Sequence, residues 1–280
     1  MSKFIKLLTE SQRRRQSLLC VGLDPDPEKL PATIAGQRTP LFAFSREIID
    51  ATAPWACAFK PQFACYAAPG AESELAQTIE YLKRHYPDIP VILDAKRGDI
   101  GATAKLYARE AFERYRADAV TVNPYLGGDG LAPFLDYVDP NGADKGVFIL
   151  CRTSNPGSGE FQALSCDGRS LAHQVAIRAA TQWNGKGNAG LVVGATWPEE
   201  VGAIRALARD MPLLIPGIGA QGGDLEAVLA KGLCADGGGV IINVSRAVIY
   251  AGQGKGFAQA AARAAQDICR RINGYRKADR

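Results

Sequence analysis

Eight short apolar runs, each followed by a longer amphipathic stretch, constrain this chain more than any other feature of its sequence. The runs span residues 17–24, 56–62, 89–96, 119–124, 146–153, 190–196, 212–219 and 239–246. Continuous apolar segments such as Val91-Ile92-Leu93 and Leu213-Leu214-Ile215 suit parallel strands buried on both faces. Between the runs, 73–85, 101–115 and 199–209 carry helical periodicity; in the second, Ala104, Tyr107, Ala108, Ala111 and Phe112 share one face. A last helix is expected over 257–272, and Phe4, Leu7 and Leu8 predict a short N-terminal helix packing against the domain. Strict alternation of strand and helix predicts a parallel sheet. Eight units are also the number that closes such a sheet into a (β/α)8 TIM barrel of the α/β class. An open doubly wound sheet is the alternative, but no G-x-G-x-x-G follows the first strand. The length of 280 residues fits one barrel, and no Pro/Ser-rich linker divides it, so residues 1–280 are expected to form a single domain.

Composition removes several classes of function. The formal net charge is only +4, part of it in Arg13-Arg14-Arg15 and in the stretch from Arg270-Arg271 to Arg280. These runs lack interleaved aromatics, so they read as solvated helix faces, not as a nucleic-acid surface. No apolar stretch approaches the roughly 20 residues of a membrane span, and the N-terminus carries charges where a signal peptide has its apolar centre. Seven cysteines, without a C-x-x-C pair, include Cys20, Cys57 and Cys151 inside apolar runs, where a thiol behaves as a small hydrophobe. A reducing, cytoplasmic compartment is expected. The only histidines, His85 and His173, lie in helical patterns away from strand ends, so no metal site is expected.

Barrel enzymes build their sites where strands end at their carboxyl side. The ends here are Asp24; Lys60; Asp94 and Lys96, followed by Asp99; Asn123; Arg152-Thr153-Ser154; Thr196; the turn around Gly217-Ile218-Gly219; and Asn243-Val244-Ser245-Arg246. Core packing does not explain so many charges, although Asp24 alone reads equally as a turn residue and Asp99 as a helix N-cap. In Asp94-x-Lys96-x-x-Asp99 the first two residues are i and i+2 of a strand, which points both to the barrel mouth. Neighbouring strand two brings Lys60 alongside. A lysine kept charged by carboxylates is a poor Schiff-base nucleophile and well suited to meet a carbanion with charge or a proton. The glycine turn after strand seven reads on its own as turn geometry. With Arg246 at the end of strand eight it reads as a phosphate site, since loops at that place bind phosphate through backbone N–H groups.

At these residues the chain resembles the orotidine 5′-monophosphate decarboxylase family. The stretch from Val91 to Ala104, containing Asp94-Ala95-Lys96-Arg97-Gly98-Asp99, fits the family signature throughout. Gly22-Leu23-Asp24, Phe59-Lys60-Pro61, Thr153-Ser154, Pro216-Gly217-Ile218-Gly219 and Ser245-Arg246 follow in family order. Gln62, Asn123-Pro124-Tyr125 and Ser154-Asn155-Pro156-Gly157 are similar to its longer bacterial-type branch. The resemblance implies cofactor-independent decarboxylation of orotidine 5′-monophosphate to UMP, the last step of UMP biosynthesis. It implies that Lys96 protonates C6 of the pyrimidine and that Asp94 lies beside the substrate carboxylate. Lys60 and Asp24 would bind ribose hydroxyls, and Ser154 the pyrimidine edge. Arg246, Gln221 and the Gly219 backbone would hold the phosphate. Asp99 and Thr103 would reach into a neighbouring subunit's site, making a homodimer with shared sites the active unit. Two other readings remain: a Mg2+-dependent sugar-phosphate enzyme, disfavoured by Lys60 where such enzymes place an acidic ligand, and a non-catalytic nucleotide-binding barrel.

Overall fold

Each of the eight predicted runs overlaps a strand. In the computed structural model, which describes residues 2–139, 142, 144–219 and 222–278, these are β1 (Leu19–Leu23), β2 (Ala58–Pro61), β3 (Ile92–Arg97), β4 (Ala119–Val122), β5 (Gly146–Arg152), β6 (Ala189–Val193), β7 (Leu213–Pro216) and β8 (Val240–Val244). All pair in parallel, in the order β2-β1-β8-β7-β6-β5-β4-β3. Isolated bridges between Phe59 and Val91 and between Gln62 and Asp94 join β2 to β3 and close the ring. The chain is therefore a (β/α)8 barrel, as the alternation predicts.

Helices surround it: α1 (Lys3–Arg15), α2 (Pro40–Thr52), α3 (Glu72–His85), α4 (Gly101–Arg109), α5 (Gly128–Leu135), α6 (Leu171–Arg178), α7 (Pro198–Ala208), α8 (Leu225–Gly232), α9 (Arg246–Ile249) and α10 (Phe257–Ala278). The predicted helix over 101–115 is shorter than expected, because its α-helical part gives way to a π-helical turn at Glu110–Arg114. His85 packs against the Tyr81 ring on α3, and His173 on α6 faces Glu200 at 3.3 Å. All seven cysteines are free, with Cys20, Cys57 and Cys151 buried. No helix among the described residues is long and apolar enough to cross a membrane.

Two apolar layers follow from the two-residue period of the strands. Residues such as Val21, Phe59, Leu93, Val120, Ile149 and Ile242 face outward into the main core beneath the helices. Cys20, Ala58, Ile92, Ala119, Phe148, Val192, Leu214 and Ile241 fill the barrel interior, with Phe4 and Leu8 of α1 packed beneath them. Helix α1 thus plugs the bottom of the barrel. It is tied there by Lys3 N–H to Asp144 (2.7 Å), Ser11 Oγ to the Cys57 carbonyl (2.8 Å) and the Arg15 guanidinium to Asp88 (3.0 and 3.1 Å). At the mouth, the segment after β5 is structured: it contains a helical turn at Gly159–Gln162 and a hairpin of Ser165–Cys166 with Arg169–Ser170.

Candidate active site

Two residues beyond each interior apolar residue, the same inward face of the strand reaches the mouth of the barrel. Ala58 is followed in this way by Lys60, Ile92 by Asp94, Ala119 by Thr121 and Ile241 by Asn243. These side chains floor a cavity of about 390 Å3, walled on one side by Leu150, Val192 and Leu214 and rimmed by Asp24, Ser154, Gly217, Ser245 and Arg246. Strand alternation therefore places a polar layer on an apolar one.

Asp94 is the centre of that layer. One carboxylate oxygen, Oδ2, accepts from Lys60 Nζ at 2.5 Å and from Gln62 Nε2 at 3.2 Å. The other, Oδ1, accepts from Lys96 Nζ at 2.6 Å and from Thr121 Oγ1 at 2.9 Å. Burial on its own pushes the Asp94 carboxyl up, but the two ammonium groups and their hydrogen bonds outweigh it and hold Asp94 well below the usual carboxylate range. Burial likewise opposes a charge on Lys60, and the attraction of Asp94 and Asp24 overcomes it, holding the Lys60 ammonium above its ordinary value. Beneath them, burial pushes the Cys20 thiol up to about 12, so it is a neutral filler. The two lysines differ in access: the Lys60 side chain is 4% exposed and that of Lys96 is 45% exposed. Both lysines line the cavity, and Lys96 is the more open of the two.

Regular strand alternation does not account for the Asp94–Lys96 pair. The register of β3 on β4 shifts between Leu93 and Arg97, and Lys96 has a φ of 46°, in the left-handed region. That conformation costs a residue with a Cβ about 1–2 kcal/mol. Such strain is characteristic of sites where a side chain is re-aimed. Here it returns the amine to Asp94 and leaves Arg97 to pair with Glu110 at 2.9 and 3.0 Å.

The rim of the cavity also carries a glycine turn and an arginine. Gly217 and Ile218 line the cavity in the turn after β7, and Gly219 follows with a φ of 81° that favours glycine. Arg246 begins α9 at the end of β8 and is exposed to the cavity. Three buried oxygens nearby, Asp24 Oδ1, Asn243 Oδ1 and Ser245 Oγ, have no hydrogen-bond partner within the protein. Buried polar atoms are normally paired, and the three residues that carry these unpaired oxygens all line the cavity. On the β5 side, Gln162 holds Thr153 through its N–H at 2.8 Å and its hydroxyl at 2.9 Å. Among the described residues, no group of three or more His, Cys, Asp or Glu side chains is arranged to hold a metal ion.

Residues 17–261 match the family described as orotidine 5′-phosphate decarboxylase / HUMPS. The chain belongs to this family. It is 54% identical over 273 residues to the orotidine 5′-phosphate decarboxylase of Azoarcus sp., covering 98% of this chain and 99% of that protein. The corresponding protein of Ralstonia pickettii is also 54% identical, over 98% of this chain and 99% of its own length. Among solved structures, the OMP decarboxylase of Leishmania donovani superposes with a TM-score of 0.83 at 41% identity, covering 99% of both chains.

Of the residues expected from the sequence, Asp24, Lys60, Asp94, Lys96, Ser154 and Arg246 line one cavity. Asp99 and Thr103 do not. The Asp99 carboxylate accepts from the N–H of Ile100 at 2.8 Å, and Thr103 is exposed on α4. Gly219 sits just beyond the lining residues, and Gln221 lies outside the described residues. Thr121 and Asn243 are the additions. Asn243 stands among the strand-end residues without an assigned role, and Thr121, inside an apolar run, is not singled out by the sequence at all. Its signal is register: Leu93 pairs with Val120, so Thr121 lies beside Asp94.

Proposed function

We propose that the barrel mouth decarboxylates orotidine 5′-monophosphate by presenting the Lys96 ammonium to C6 of the pyrimidine. The overall reaction is conversion of orotidine 5′-phosphate to UMP and CO2 in pyrimidine biosynthesis, supported by membership of the family and by relatives of that name spanning almost the whole chain. The observation that carries the residue assignment is a single one. Asp94 sits between two cavity-lining ammonium groups, of which Lys60 is held in the floor and Lys96 is the more exposed.

Decarboxylation breaks the bond between C6 and the carboxylate carbon, leaving the electron pair on C6 as CO2 departs. The Lys96 ammonium meets that charge and transfers a proton to C6, and solvent restores the ammonium. Preorganised charge aimed at the atom where charge develops is the strongest form of electrostatic catalysis available to a site of this kind. Lys60, already neutralising Asp94, and Asp24, which lines the same cavity, would take the ribose hydroxyls. Ser154 on the β5 side would meet the pyrimidine edge. Arg246 has the planar fork suited to phosphate oxygens. Gly217 and Ile218 line the same cavity as Arg246, and the Gly219 backbone and Gln221 complete the set implied by the family resemblance. Phosphate binding, remote from the bond that breaks, would supply energy that organises the site.

A homodimer with shared sites is part of this reading. Asp99 and Thr103 lie outside their own cavity, and the surface around them is unusually apolar: Ile100 is 58% exposed, Leu106 60%, Tyr125 79% and Leu126 44%. Asp99 and Leu126 belong to one patch, since both crowd Gly130. Exposed apolar clusters of this kind mark association surfaces. The buried, unpaired thiols fit a reducing, cytoplasmic setting.

The decisive assay follows the loss of orotate absorbance from orotidine 5′-monophosphate in the presence of EDTA. Wild-type protein should turn over at an undiminished rate; restoration of activity by Mg2+ after its loss to EDTA would instead select the metal-dependent relatives. Lys96→Ala should lower kcat at least about 100-fold, the scale of a lost general acid, with an unchanged circular dichroism spectrum. Near-normal turnover by that variant would remove Lys96 from its role.

A further inference from the structure

The hydroxyl of Thr121 is buried against the catalytic loop end of β3 and uses every hydrogen-bonding position it has. It donates to Asp94 Oδ1 at 2.9 Å and accepts from the backbone N–H groups of Ala95 at 3.1 Å and Lys96 at 3.0 Å. A hydroxyl has one donor and two acceptor positions, so the set is complete. These contacts fall where the pairing of β3 with β4 loses its register, and where Lys96 takes its left-handed conformation. The two N–H groups point at a side chain on the neighbouring strand, where a regular ladder would supply carbonyls. Lys96 Nζ then meets the same Asp94 Oδ1 that Thr121 holds.

We propose that Thr121 is a positioning residue for the decarboxylation: its hydroxyl fixes both the backbone turn that aims Lys96 and the carboxylate oxygen that receives the Lys96 amine. This rests on the assignment of Lys96 as proton donor. Thr121 is 1% exposed and lies in the cavity floor, so the geometry it sets is that of the reacting end, not of the phosphate end. Valine has the same shape without the hydroxyl. In Thr121→Val the two N–H groups and Asp94 Oδ1 lose their common partner, and the Lys96 amine gains freedom to leave the line of transfer.

The expected signature separates turnover from binding. Thr121→Val should lower kcat by roughly 10- to 100-fold, the scale of an ångström-sized misplacement of a reacting group, with the KM for orotidine 5′-monophosphate and the Kd for UMP within about threefold of wild type. Thr121→Ser, which restores the hydroxyl, should recover most of the loss. If Thr121→Val fails to fold, Thr121→Ser and Thr121→Ala give the same comparison, and serine should exceed alanine in kcat by at least about fivefold. Equal kcat for the variants with and without the hydroxyl, or a loss appearing in KM and the UMP Kd with kcat intact, overturns the proposal. A failure of the underlying lysine assignment is seen separately, as turnover by Lys96→Ala.

Discussion

Arg246 differs from Lys60 and Lys96 in having no carboxylate partner among the ion pairs of the described residues, while remaining exposed to the cavity. Its fork is therefore available to a ligand. Replacing Arg246 by alanine should raise KM at least roughly tenfold, since a charge-assisted hydrogen bond contributes about 1.5–3 kcal/mol, and steady-state kinetics with orotidine 5′-monophosphate would measure it. An unchanged KM excludes Arg246 as a phosphate ligand. At this scale the charged residues were legible because charge at a strand end conflicts with core packing. Lys60, Asp94, Lys96 and Arg246 each stand out on that ground. Thr121 carries no such conflict: threonine is a common strand former, and only the register of β4 against β3 reveals what its hydroxyl touches. The left-handed turn at Lys96 is invisible for the opposite reason, since lysine has no preference for that conformation and tertiary contacts impose it.

Among the elements, helix α1 was legible as a helix but not as a plug. Phe4 and Leu8 recur at helical spacing, yet nothing local says that they enter the open end of a barrel. The signal lies 142 residues away, at Gly146, the first residue of β5. A Cβ placed there would collide with the Phe4 ring, which also meets Phe148 edge-to-face at 5.9 Å. Gly146→Ala should consequently destabilise the fold by about 1–3 kcal/mol, the cost of overpacking. Phe4→Ala should cost about 3–5 kcal/mol through the cavity it leaves. Because the two residues touch, the double variant should be more stable than the sum of the single changes predicts. Urea unfolding of the four proteins tests this, and strict additivity would mean that α1 shifts freely and does not plug the barrel. Turnover should survive Gly146→Ala, since the mouth is at the other end. In the segment after β5, residues 155–169 are rich in Gly, Ser and Pro, and the hairpin there, built from two-residue strands, is too short to show a period.

For the whole molecule, eight repeated units announced the barrel because each strand–helix pair is a local pattern, and closure needs only their number. What a repeat cannot announce is a second subunit. Asp99 lies three residues after Lys96 and looks like a member of the same array, but within its own chain its carboxylate caps Ile100 beside an apolar surface. If sites are shared, each cavity combines the Lys96 of one subunit with the Asp99 of the other, and the two losses can be separated onto different chains. In a two-fold dimer of Lys96→Ala with Asp99→Ala, one site then carries both defects and the other carries neither. Random reassortment of equal amounts makes half of the dimers mixed, so activity should recover to roughly a quarter of wild type although each parent is inactive. Dissociation and remixing, with the mixed dimer isolated by distinct affinity tags, provides the measurement. A verified mixed dimer that stays inactive would confine each site to one chain. Asp99 would then only hold the Ile100 N–H ahead of α4, and the exposed Ile100, Leu106, Tyr125 and Leu126 would need another partner to cover them.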